Sequence, residues 1–349
     1  METFPRILSL GTCNPPNRYS QREIYAYAAK HVEMYRSPRV EQIFMSSDID
    51  YRHFAFDLDT LDPDEDADAL HERFAEHSVV VGGEAVRRCL ADGAWSADDV
   101  DCIIAVSCTG YLCPGLSSIL VKDLGLRHDV QRADLVGMGC AGALPGLQRA
   151  YDFVRAYPGK KALVVTVEIC SACYYVDDSL ETVVGNAICG DGAAAVMVGD
   201  APEGSGPGIV CFQTLLEPSF LHTVGFQFKS GKLRIVLSKD IRNAAGGLAK
   251  QVVDQLLERQ GLSKTDIGHW VIHSGGRKVI DSIKDAVGLA EAQLVHSRCV
   301  LKNFGNMSSP TVLYVLQETL SHARPRAGEY GLMLAMGPGL AVETALLRW

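Results

Sequence analysis

The sequence has no apolar run near the roughly 18 residues that a membrane span requires, and no block of lysine and arginine. Its 33 basic residues stand against 42 acidic ones, for a net charge of −9. Neither a nucleic acid nor an anionic membrane is an expected partner, because both are held by a basic stripe. The opening METFPRILSL carries Glu2 and lacks the basic-then-apolar pattern of an export signal, which predicts a cytoplasmic protein. An even, closely spaced cysteine framework is also missing. The eleven cysteines are odd in number and spread over 349 residues, which fits a reducing compartment rather than a disulfide scaffold. Most lie in apolar stretches and read as small buried hydrophobes. The glycine-rich tail MGPGLAVE (336–343) has no P-loop lysine, so no phosphate cradle is expected there.

What is present is enough apolar material for a full core, 47% against 21% charged, and an internal repeat. Residues 83–110 (GEAVRRCLADGAWSADDVDCIIAVSCTG) and 250–276 (KQVVDQLLERQGLSKTDIGHWVIHSGG) share a helical pattern, then Ser-x-x-Asp before Val or Ile, then a short apolar run and a small-residue turn. In the second copy Val252, Val253, Leu256 and Leu257 form the apolar stripe. Residues 134–147 (DLVGMGCAGALPGL) match 300–312 (VLKNFGNMSSPTV), setting Cys140 opposite Asn306, and 159–168 match 328–337. Three matches in one order at nearly one offset imply two duplicated halves, taken as residues 1–215 and 216–349. The runs CIIAV (102–106), ALVVTV (162–167), AAAVMV (193–198), WVI (270–272) and LMLAM (332–336) read as strands covered on both faces. The expected body is α/β, layered α/β/α/β/α. Residues 14–75 and 200–240 read as insertions, and the acidic run 57–68 as a solvated loop or helix start.

The duplication brings chemistry together. Cys140 and Asn306 occupy matching places, each expected at a strand end just before a helix, and His273 ends a buried strand, where α/β sites form. A thiol at a helix N-terminus is expected to fall from about 8.5 toward roughly 3.5–7.5 in pKa. Each residue alone has a plainer reading: a packing cysteine, a core histidine, a helix cap. A nucleophile with neutral-to-cationic donors suits decarboxylative condensation, and it also suits a cysteine hydrolase. The pair Cys170 and Cys173 reads as a redox couple or half a zinc site, but no second C-x-x-C and no histidine-rich partner lies nearby.

The stretches VGMGCAGAL around Cys140, VIHSGG around His273, FGNMSSP around Asn306 and MGPGLAVET near the end resemble the type III polyketide synthases, the chalcone-synthase-like ketosynthases. The resemblance runs in order over nearly the whole chain. Ketoacyl synthase III shares the triad, but its histidine and asparagine contexts differ. The resemblance implies a thiolase fold, a homodimer, and iterative decarboxylative Claisen condensation of malonyl-CoA onto an acyl starter, closing to an aromatic or pyrone product. Cys140 would carry the chain, and His273 and Asn306 would hold thioester oxygens. No cofactor is expected beyond the CoA thioesters. The alternatives are a single-round condensing enzyme like ketoacyl synthase III and a non-catalytic acyl-CoA-binding member of the fold.

Against the plant pattern, the first gatekeeper phenylalanine is Cys189 here and the second is Ile235, which implies a wider passage into the cavity. The pocket threonine corresponds to Cys173, the serine after the asparagine is Ser308, and the methionine that crosses the dimer interface is Cys113. Thr109 is placed with these substrate-binding residues. Of the basic CoA-binding cluster only Arg39 remains, leaving Lys239, Arg277 or Lys278 for the phosphates, or a carrier protein as the acyl donor. Locally, DIGHWVIHSGGRKVIDS looks most like the bacterial 3,5-dihydroxyphenylacetyl-CoA synthases, which use malonyl-CoA alone. Long-chain alkylpyrone or alkylresorcinol formation is the competing product class.

Overall fold

The computed structural model describes residues 4–175, 179–238 and 241–349. The chain begins with β1 (Arg6–Cys13), β2 (Asn17–Ser20), α1 (Gln21–His31), α2 (Pro38–Met45), β3 (Tyr51–Phe54) and α3 (Ala67–Asp92). It continues through β4 (Cys102–Ser107), α4 (Leu116–Leu124), β5 (Gln131–Val136), α5 (Ala143–Ala156), β6 (Ala162–Glu168), α6 (Leu180–Ile188) and β7 (Gly192–Gly199). Then come β8 (Gly208–Leu215), β9 (Val224–Lys229), β10 (Lys232–Leu237), α7 (Ile241–Gln260), β11 (Ile267–Ile272) and α8 (Arg277–Val287). The last elements are α9 (Val295–Phe304), α10 (Thr311–Glu318), β12 (Tyr330–Gly337) and β13 (Ala341–Arg348).

Nine strands pair in the order β11-β12-β13-β8-β1-β7-β6-β4-β5. The two ends of this series mirror each other. β4 and β6 are parallel, β6 and β7 antiparallel, β7 and β1 antiparallel. In the other half β11 and β12 are parallel, β12 and β13 antiparallel, β13 and β8 antiparallel. The halves meet where Arg6 of β1 faces Gly208 of β8.

Side chains on successive strand positions point to opposite faces, and here they enter different cores. Ile103, Ala105, Leu163 and Val165 pack outward with α3 and α4, while Ile104, Val106 and Val164 pack inward with Leu144 and Leu147 of α5. The second half repeats this. Trp270, Ile272, Leu332 and Leu334 face α7 and α8, whereas Val271, Met333 and Ala335 join α5 and α10 in the central core. The result is the expected five-layer α/β/α/β/α body. α5 and α10 are sandwiched between the two sets of strands, which is why α10 is buried from Thr311 to Leu316. Val252, Val253, Leu256 and Leu257 are buried as the α7 stripe requires.

The repeat is visible down to single hydrogen bonds. Ser96 and Ser263 each start a short helical turn. In each, the aspartate three residues on takes the serine's own N–H, at 2.9 Å for Asp99 and 2.7 Å for Asp266. Such reciprocal caps satisfy donors left open at a helix start. The acidic run 57–68 is a loop that ends as Asp66 caps α3, its side chain accepting from Ala69 N–H at 2.9 Å.

Two expectations are corrected. Residues 200–240 are not wholly an insertion, because β8 lies at the centre of the sheet between β13 and β1. Asn306 does not follow a strand end: residues 295–304 are α9, so the second half has a helix where β5 stands in the first. A half-exposed β5 at one rim of the sheet therefore has no counterpart at the other.

Candidate active site

Cys140 sits in the tight turn Gly139–Ala141 that leads from β5 into α5. Gly139 holds φ +52, and a Cβ there would stand 2.4 Å from Pro338, so only glycine lets the 337–340 loop close against the turn that carries Cys140. Asn306 is placed from the other half. Gly305, at φ +70 with no room for a Cβ beside the Ile188 carbonyl, turns the chain out of α9. Asn306 N–H then donates to Ile188 O at 2.8 Å, and its carbonyl accepts from Gly190 N–H at 3.0 Å. Cys140 Sγ lies 3.9 Å from both the Oδ1 and the Nδ2 of Asn306.

The amide orientation follows from its neighbours. Ser308 N–H donates to Oδ1 at 2.8 Å, and Nδ2 donates to the Gly275 carbonyl at 3.3 Å. One Nδ2 hydrogen is left on the side of Cys140. Gly275 belongs to the turn after His273, so the same amide ties the thiol to the histidine's segment. His273 is fixed by its N–H donating to Leu334 O at 2.8 Å. The residue is 3% exposed, and neither ring nitrogen has a partner among the described residues. A buried imidazole with both nitrogens open is costly unless a ligand uses them.

Burial decides the protonation states. It pushes the Cys140 thiol up to about 12, partly offset by hydrogen bonds from Ser308 and Asn306. The expected depression by the helix N-terminus is therefore overturned, because the desolvation of a thiolate here exceeds what the helix start returns. Burial also lowers His273 to about 4. In the resting chain the thiol and the imidazole are both neutral.

Beneath the thiol lies a carboxylate that the sequence reading passed over. Glu168 is fully buried at the end of β6 and accepts hydrogen bonds from Ser107 Oγ, Cys108 N–H, Thr109 N–H, Thr109 Oγ1, Ser308 Oγ and Ser309 Oγ, at 2.6 to 3.3 Å. Burial raises its pKa, and Ser309 and the other donors oppose the rise. A glutamate closing the otherwise apolar ALVVTVE run was the available signal. Ser308 holds a left-handed φ of +58, a rare posture for a side-chain-bearing residue. Its hydroxyl reaches Glu168 and the Cys108 sulfur, 3.4 Å away. Cys108 is thus a second thiol of the site that sequence reasoning missed.

The other expected residues distribute unevenly. Cys173 is buried and donates to the Thr109 carbonyl at 3.3 Å. Thr109 is buried with its hydroxyl committed, donating to Glu168 and accepting from Ile169 N–H at 3.0 Å. Cys189 bridges to Asn306 as a single β pair, and Arg52, itself fully buried, donates to its carbonyl at 2.6 Å. Cys170 hydrogen-bonds Cys189 rather than pairing with Cys173, and that bond, with Arg52 beside it, favours the Cys189 thiolate. Ile235 lies over α6, the helix that ends just before Cys189, its Cγ2 filling the space where Gly185 has no Cβ, with no contact to Cys140 recorded among the described residues. Cys113 is exposed, with no hydrogen bond to this cluster recorded among the described residues. Arg39 and Lys278 are exposed, Arg277 pairs loosely with Asp48 at 3.8 Å, and Lys239 lies outside the described residues. Among the described residues, the one group of side chains spaced to hold a metal is His296, Glu318 and His322, at the far end of α10 from Asn306.

Comparison with known proteins places the chain in a family. Residues 209–349 match the C-terminal domain of chalcone and stilbene synthases, and residues 41–211 match the FAE1/type III polyketide synthase-like proteins. The chain is 34% identical to a 3,5-dihydroxyphenylacetyl-CoA synthase of Streptomyces toyocaensis, over 99% of this chain and 90% of that one. It is 30% identical to an alpha-pyrone synthesis polyketide synthase-like protein of Mycobacterium tuberculosis, over 99% and 91%. Its fold superposes on PKS-I of the brown alga Ectocarpus siliculosus with a TM-score of 0.94 at 29% identity, covering 100% of this chain and 99% of that one.

Proposed function

This chain belongs to the type III polyketide synthases, and from that membership and the geometry above we propose how its residues work. It is an acyltransferase of thiolase fold that condenses malonyl units iteratively onto an acyl group and closes the product to an aromatic or pyrone ring.

In loading, Cys140 Sγ attacks the starter thioester. Its proton passes to a free ring nitrogen of His273, the C–S bond to coenzyme A breaks, and the departing CoA thiolate takes that proton back. Burial penalises either charge alone. A proton moved from Cys140 to His273 makes an internal pair with no net charge, which is how a thiol raised to about 12 becomes a nucleophile. In extension, malonyl-CoA loses CO2. The enolate oxygen accepts hydrogen bonds from the neutral His273 ring and from Asn306 Nδ2, whose second hydrogen points toward Cys140. The enolate carbon attacks the Cys140 thioester, a C–C bond forms and the C–S bond breaks, returning Cys140 for the next round. Loss of CO2 generates the carbanion, so the cycle calls for no metal or redox cofactor.

The observation that carries this reading is the convergence of Cys140 and Asn306 at 3.9 Å, tied through Gly275 to a buried His273 with an unpartnered ring. Small residues at 189 and 235 support a passage wide enough for a starter beyond acetyl size. Likeness to the Streptomyces 3,5-dihydroxyphenylacetyl-CoA synthase supports an aromatic product. Arg39, Arg277 and Lys278 are the described cations available to coenzyme A or carrier-protein phosphates. The half-exposed β5, with Val136 57% exposed, supports a homodimer joined along that strand. Eleven free thiols support a cytoplasmic setting. The test is product analysis with malonyl-CoA alone and with a panel of acyl-CoA starters. Cys140→Ala should abolish every condensation product, and undiminished product from that variant refutes the assignment.

A further inference from the structure

The three side chains at the far end of α10 have no part in this cycle. His296 enters from the first turn of α9, Glu318 ends α10, and His322 lies in the π-helical turn Thr319–Ala323 that follows. One ligand-type atom from each lies within 4.8 Å of the others. Glu318 Oε2 and His322 Nδ1 are already 3.2 Å apart, and the two imidazole rings face each other at 6.2 Å with a 30° tilt. Glu318 has no lysine or arginine partner among the described residues; its recorded ion pair is with His322. A π-helical turn is uncommon and is frequently found at functional sites. Here it carries His322 back over Glu318.

We propose that His296, Glu318 and His322 form a binding site for a divalent transition metal of the zinc class, with water as the fourth ligand. Two imidazoles and one carboxylate with an open position are a zinc-type donor set, and the nitrogens disfavour magnesium and calcium. Donor atoms around tetrahedral zinc stand about 3.3 Å apart. One pair meets that spacing already; His322 Nδ1 also lies 3.1 Å from the Glu318 carbonyl, a contact that the side chain, 64% exposed, would give up on taking a metal. Cys299, one turn along α9, hydrogen-bonds Glu318 and orients the carboxylate.

The position gives the site a consequence. α9 and α10 are joined by residues 305–310, which carry Asn306. A metal at this site ties the start of α9 to the end of α10, bracing the segment that presents Asn306 without touching a reacting atom.

The test is metal binding to the whole protein after chelator stripping, in the wild type and in His322→Ala and His296→Ala. Cobalt(II) replaces zinc as the probe, because its spectrum separates this site from the eleven thiols. The expected result is one ion per chain with visible d–d bands and no thiolate charge-transfer band. Affinity should fall in both variants by more than the roughly 10–100-fold that loss of a supporting residue costs. Zinc should raise the unfolding temperature of the wild type and leave that of either variant unchanged. No binding at micromolar metal, binding equal in all three proteins, or a spectrum dominated by thiolate ligation overturns the proposal.

Discussion

Cys140 and Asn306 are 166 residues apart in the chain and 3.9 Å apart in space. The distance is a product of duplication. α5 and α10 are the equivalent central helices of the two halves, and each residue precedes its helix where the halves face each other. The proposed nucleophile and the proposed oxyanion donor are thereby set on separate, rigid supports.

That separation predicts that their roles can be separated. Asn306→Ala should leave acyl transfer to Cys140 nearly intact and lower malonyl-CoA decarboxylation by about 10²–10³, the usual loss for one oxyanion donor. Rapid-quench measurement of acyl-enzyme and of released CO2 checks this. Equal losses in both steps contradict the assignment.

His273 should activate the thiol. Because burial alone holds Cys140 far above neutrality, removing the proton acceptor in His273→Gln should slow iodoacetamide alkylation of Cys140 at neutral pH by at least about tenfold. Peptide mapping of the alkylated site gives the readout. An unchanged rate means that some other base takes the proton.

His273 also couples folding to acid. Its folded pKa is lowered to about 4 from about 6.5 in the unfolded chain. Its contribution is therefore fully present above about pH 6.5 and is lost as pH falls toward about 4, a total on the order of 3 kcal/mol. Urea midpoints for wild type and His273→Gln across this window should converge as the pH drops. Parallel curves would show that the ring is not neutral and buried in solution.

Glu168 accepts from donors on two segments, residues 107–109 and residues 308–309. Glu168→Gln turns one acceptor oxygen into an NH2 group facing these donors. The variant should lose about 1–3 kcal/mol of stability, read as a lower unfolding temperature, and should disturb Ser308 and with it the Asn306 amide. A variant as stable as the wild type contradicts this packing role.

The gate predicts a change in starter range. Cys189→Phe restores bulk beside Asn306, and the longest accepted acyl-CoA starter should shorten. A starter panel with product masses is the check; an unaltered range means that the passage runs elsewhere.

Much of this was legible in the sequence, for identifiable reasons. The strands at 102–107, 162–168 and 330–337 announce themselves because both faces are buried, and Ser96 and Ser263 mark matching helical turns through their capping aspartates. The triad could be read because its glycine-rich surroundings serve backbone geometry that few alternatives satisfy. β8 was hidden: it falls outside the repeat and its Gln213 and Thr214 break the apolar pattern. The replacement of a strand by α9 was hidden too, since VLKNF carries no periodicity over so short a run. The protonation of Cys140 could not be read at all. The helix start and the burial act in opposite directions, and only the packing around Ser308, Asn306 and Glu168 decides which is larger.

The central claim is that one thiol among eleven carries the growing chain. Incubation with an acyl-CoA, rapid acid quench, proteolysis and mass spectrometry test it directly. The account predicts the acyl mass on the peptide containing Cys140, and none after Cys140→Ala. Acyl label on Cys108, Cys173 or Cys189 with Cys140 unmodified would contradict it.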